Sequence, residues 1–149
     1  MNSSWNTLPA LSQISLHGVL ILMGVMALLV AIWQVRVLRG ESMKAVDGSR
    51  DDWHEQKIMY GIAVADLLVA IPMTFLGIGL IYTNFEWGYL VMALSGMWFL
   101  WANVMGTATS LRFENPTISL MWIITFPTGA ILGVTYLLWM VIHFDKVYL

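Results

Sequence analysis

The 149-residue chain is 59% hydrophobic and 11% charged, with a formal net charge of -2 and no cysteine. Soluble domains carry about 25% charged residues and a chain this short has little interior, so an ordinary soluble fold is excluded and one membrane domain over 1–149 is indicated. The missing thiols exclude disulfides, iron–sulfur clusters and covalent c-type haem, and the missing basic run excludes nucleic acid as a partner.

At the N-terminus Arg36 is the first positive charge. No basic region precedes the first apolar stretch, so a cleaved signal peptide is not expected. Four apolar stretches follow, at roughly Ile14–Val35, Ile58–Tyr82, Gly88–Leu111 and Ile118–Ile142. Each exceeds the about 20 residues a helix needs to cross a bilayer, and their continuity argues for helices over alternating barrel strands. The predicted fold is an all-α, up-down four-helix transmembrane bundle.

Span 1 has Thr7 and Pro9 as start signals and Gly40 as a C-terminal cap. The 36–57 loop holds Arg36, Arg39, Lys44, Arg50 and Lys57 beside five acids, a self-paired solvated surface. Within it, Ser49 and Asp52 read as a capping box that starts helix 2 near Arg50. Between spans 3 and 4, Asn115-Pro116 reads as a cap and first-turn proline that opens helix 4. Six basic residues lie in the 36–57 and 112–117 loops, against Lys146 alone on the other side. That bias makes the loops cytoplasmic and both termini outer, N-out/C-out. Trp5, Tyr82, Trp87, Tyr89, Trp139 and Tyr148 then form an outer aromatic belt, and Trp33, Trp53 and Tyr60 an inner one.

Asp66 lies about eight residues inside span 2, roughly 12 Å deep. A carboxyl there is costly and must face protein or water. Counting equal depth along the antiparallel neighbours predicts an intramembrane polar layer of Asp66, Asn103, Thr107 and Thr125. Gly106, with the Gly129–Gly133 pair at GxxxG spacing, predicts close packing of spans 3 and 4. Pro72 and Pro127 fall mid-span and free the carbonyls of Leu68 and Ile123, which predicts kinks.

His17 and His143 sit near the same membrane face. Two imidazoles on facing helices could hold haem iron or copper, with Asp145 as an outer acceptor, although no third histidine joins them. The bland reading is two independent interfacial rings. Of the eleven methionines, Met23, Met26, Met73, Met92, Met97, Met105, Met121 and Met140 are scattered over all four spans and read as packing residues, not copper ligands. No lysine within a span could form a retinal Schiff base, and no phosphate loop or hydrolase motif is present.

The resulting expectation is a non-catalytic integral membrane subunit of a larger membrane complex of the energy-converting or redox kind. Lipid, other membrane subunits or further copies are its partners, and a bacterial inner membrane is its location. Two alternatives remain open: a proton or cation pathway centred on Asp66, and a haem- or metal-binding subunit using His17 and His143.

Overall fold

The computed structural model describes residues 8–41, 53–114 and 116–148, and among these the regular structure is entirely helical. Helix α1 runs Ala10–Leu38 and α2 Trp53–Ala65. A π-helical turn over Asp66–Ala70 joins α2 to α3, Ile71–Tyr82. Helix α4 covers Trp87–Thr109 and ends in a second π-helical turn, Ser110–Glu114. The chain closes with α5 (Leu120–Thr125), α6 (Pro127–Ile142) and α7 (Phe144–Tyr148). Among the described residues four helical stretches are long and apolar enough to cross a bilayer, as an integral membrane protein requires. They are Ala10–Leu38, Lys57–Tyr82, Trp87–Arg112 and Leu120–Ile142, spans 1 to 4 below.

Local chemistry explains most helix ends. Pro9 precedes the first turn of α1, where its missing N–H costs nothing. Gly40 follows Arg39 with φ +75°, the left-handed conformation that a helix C-terminus favours and a Cβ penalises. The 83–86 turn between spans 2 and 3 is tight. Asn84 takes φ +58°, and a Cβ on Gly88 would lie 2.6 Å from the Ile81 nitrogen. Span 4 departs from the sequence expectation. Pro116 lies outside any helix, and Ser119 is the cap. Its extended backbone lets Oγ accept the Trp122 N–H at 3.2 Å. Thr7, Ser49, Asp52 and Asn115 fall outside the described residues.

Span 1 packs on spans 2 and 4, and span 3 packs on spans 2 and 4. The buried faces repeat every three or four residues. They are Leu16, Leu20, Met23 and Ala27 on span 1, and Ala63, Asp66, Ala70, Thr74, Gly77 and Ile81 on span 2, with Ile71 buried beside Ala70. The main core gathers Leu8, Leu16, Leu20, Tyr89, Tyr136 and Trp139, and α7 contributes Val147 to it. It therefore lies toward the end that carries both described termini, called the terminal half below. The opposite, loop half holds Gln34, the two π-helical turns and α5.

Both mid-span prolines break regular α-helix. Ahead of Pro72 the chain widens into the π-helical turn, in which the Ile71 N–H reaches the Asp66 carbonyl five residues back. At Pro127 span 4 divides into α5 and α6, with Phe126 at the joint. The Ile123 carbonyl that Pro127 cannot bond receives the Thr128 hydroxyl at 2.9 Å.

Candidate functional site

Asp66 opens the π-helical turn and retains 8% of its surface. Two other spans supply donors to its carboxyl. Gln34 of α1 donates its Nε2–H to Oδ2 at 2.6 Å, and Trp98 of α4 donates its Nε1–H to Oδ1 at 3.0 Å. Both donors are neutral. Arg36, two residues beyond Gln34, is instead paired with Glu41 at 2.7 Å on the exposed surface. Trp98 is steadied by an edge-on contact with Phe99, ring centroids 4.7 Å apart. Each carboxyl oxygen thus has a fixed partner, which offsets the cost of burying it in an apolar span.

The other members of the expected polar layer spend their hydrogen bonds within their own helices. Asn103 donates to the Phe99 carbonyl, Thr107 to the Asn103 carbonyl and Thr125 to the Met121 carbonyl. The depth count is not the problem, because spans 2 and 3 pair in that register. Gly77 meets Met92, and Thr74 bonds Ser95. Rotation is the reason. Asn103 lies seven residues after Gly96, so both point the same way around α4. Gly96 packs against Gly133 and Asn103 against Gly129, on the face that meets span 4. Gly106 continues this seam against the Phe126 ring.

Gln34 and Trp98 were not singled out from the sequence. Gln34 lies within the first apolar stretch, and its amide at the loop end was the available signal. Trp98 gave none, because an indole in a membrane span reads as packing until its N–H is located.

The structure places His17 and His143 on different partners. His17 Nδ1 lies 2.9 Å from the Tyr82 hydroxyl of span 2, and the two rings stack. His143 bonds the Trp139 carbonyl through Nδ1 and the Ser12 hydroxyl through Nε2, each at 2.8 Å. A carbonyl only accepts, so Nδ1 carries the proton in the neutral ring and Nε2 accepts from Ser12. Ser12 and His17 are five residues apart, about 140° around α1. The helix thus turns the two imidazoles toward different neighbours. Asp145 is exposed, and among the described residues no group of three or more His, Asp or Glu side chains could hold a metal. No family model, curated protein or solved structure matches the chain.

Further polar contacts cross between helices. The buried hydroxyls of Thr74 and Ser95 bond each other, and Thr74 also donates to the Ala70 carbonyl. The Trp122 indole donates to buried Ser110 at 2.9 Å, which ties α5 to the end of span 3.

Proposed function

We propose that this chain is an up-down, N-out/C-out four-span bundle of a bacterial inner membrane, a subunit without catalytic chemistry of its own whose working centre is the Asp66 carboxyl. The centre serves the movement of protons or cations. One observation carries this reading: a carboxyl inside an apolar span is held by neutral donors from two other spans. A carboxylate that served only to join helices would be satisfied more cheaply by an amide or hydroxyl, which carries no charge into the membrane. Reconstituted vesicles test it. The parent protein is expected to conduct down an imposed ion or pH gradient, and Asp66→Asn to lose that flux. A parent that conducts nothing, or an unaltered Asp66→Asn rate, removes the reading.

Membership of a larger complex is a second reading, favoured by span 4. Helix α5 has no buried residue, and Leu120 and Met121 are 73% and 70% exposed. What sets α5 apart is that none of its residues is buried, which leaves the helix free to pack against another membrane protein, in this reading one of the energy-converting or redox kind. A photo-crosslinking residue at Met121 is expected to capture one defined membrane protein in intact cells, and the same residue at Val141 none. Migration as a lone monomer in mild detergent, with no adduct at Met121, counts against it. Haem or copper binding by His17 and His143 has no comparable geometric support, because the rings face different helices.

A further inference from the structure

We infer that Asp66 takes up a proton, not a metal cation, and that the Gln34 side-chain amide turns over to follow it. The inference rests on the reading of Asp66 as the working centre and names its substrate.

The two donors differ in kind. An indole N–H can only donate, whereas a primary amide carries two donors and an acceptor on one rotatable group. Trp98 therefore keeps Oδ1 an acceptor in every state. The proton is left to Oδ2, the oxygen that faces Gln34 at 2.6 Å. With the carboxylate ionised, the Gln34 Nε2–H donates to Oδ2. With Oδ2 protonated, that N–H and the new O–H would point at each other. A half-turn about the last side-chain bond brings Oε1 into place, and the carboxyl O–H then donates to it. The carboxyl keeps two hydrogen bonds in both states, and only the direction of one reverses. The balance is simple: a proton from water at the loop end joins the carboxylate, and no electrons move.

The same geometry is poor for a metal ion. Hard cations take six or more oxygens, while here two N–H groups direct their positive ends at the carboxyl. The elements packed on the π-helical turn add no charge. Span 1 presents Gln34, span 3 presents Trp98, and span 2 itself presents Ala63 and Ala70 on the same buried face. The two hydrogen-bond partners of the carboxyl are both neutral.

Infrared difference spectroscopy of the full chain in lipid vesicles, stepped between acid and alkaline buffer, tests this. A protonated-carboxyl C=O band is expected in acid and is lost in Asp66→Asn. The chain has three glutamines, Gln13, Gln34 and Gln56. With isotope-labelled glutamine in the unaltered protein, a side-chain amide band is expected to shift in step with the carboxyl. Gln34→Leu abolishes that shift and moves the acid C=O band to the frequency of an unbonded acid. Three results overturn the inference: no Asp66 band at any pH, a carboxyl band that titrates with the labelled amide unmoved, or an acid band removed at constant pH by sodium, potassium, magnesium or calcium chloride. The band is read without flux, so a titrating carboxyl in vesicles that conduct nothing refutes the pathway reading and leaves the proton site standing.

Discussion

The terminal and loop halves of this helical fold solve the same packing problem with different materials. In the terminal half, glycine and aromatic side chains bring helices together: Gly133 seats against the Gly96 backbone, and Gly77 accepts Met92. Hydrogen bonds in that half include ring-to-backbone bonds, Tyr136 to the Tyr89 carbonyl at 3.0 Å and Trp139 to the Ser12 carbonyl at 3.3 Å, beside side-chain pairs such as His143 with Ser12 and Thr74 with Ser95. The loop half has no such glycine-to-backbone seat among its described residues. Its order rests on individual polar contacts, Asp66 with Gln34 and Trp98, and Trp122 with Ser110. It also contains both π-helical turns. Van der Waals packing stabilises membrane helices when backbones approach, because lipid supplies no hydrophobic drive between them. The terminal half is therefore the more closely packed of the two, and the loop half is where a change of side-chain partner is expected to cost least.

The sharpest way to break this comparison is to fill the terminal seam. A Cβ on Gly133 would lie 2.8 Å from the Leu100 nitrogen and nearer still to the Gly96 carbonyl oxygen, both backbone atoms that cannot step aside. Gly133→Leu is expected to destabilise the fold by about 3 kcal/mol or more, measured by thermal unfolding in mild detergent. A methyl added at Gly79 would meet nothing within 4 Å, so Gly79→Ala serves as the control and should change little. Equal losses from the two substitutions would mean that the seam is not what holds the spans.

Next come losses of single polar contacts, one from each half. Tyr136→Phe leaves the buried Tyr89 carbonyl without its hydroxyl donor and is expected to cost about 1 kcal/mol. Asp66→Leu strands the Gln34 amide and the Trp98 indole, two donors, and is expected to cost about 1–2 kcal/mol. In Asp66→Asn the side-chain oxygen still accepts from Trp98, and a turned Gln34 amide can accept from the new NH₂. Its loss should stay below about 1 kcal/mol. Unfolding midpoints of the three variants rank these directly. An Asp66→Asn variant as unstable as Asp66→Leu would show that Gln34 does not turn.

The spans were legible in the sequence because bilayer thickness imposes a length and a composition on any helix that crosses it. The observed stretches match the expected ones to within a few residues. Gly129 and Gly133 were legible for a related reason, since a missing side chain leaves a mark in the sequence wherever backbones must touch. The partners of Asp66 were not. Equal depth is a one-dimensional count, and it found Asn103. Which neighbour a side chain reaches also depends on its angle around the helix and on its length. Asn103 is turned onto span 4, while Trp98 reaches across to span 2. The π-helical turn adds to this, because an extra residue in one turn changes the angular register of what precedes it.

The smallest expected effect is the most informative about α5. Met121 is 70% exposed and packs in no core, so Met121→Ala should alter the unfolding of the isolated protein by less than about 0.5 kcal/mol. Trp122, one residue on, is the described anchor of α5 through Ser110, and Trp122→Phe removes that bond at about 1 kcal/mol. The two neighbours separate the roles of this short helix. If α5 faces only lipid, Met121→Ala stays silent in cells as well as in detergent, since an acyl chain fills the space as readily as a methionine. If another membrane protein packs there, Met121→Ala leaves the purified chain unchanged yet weakens its retention in the native assembly. Side-by-side measurement of unfolding and of co-purification then reads the partner without any contribution from the fold.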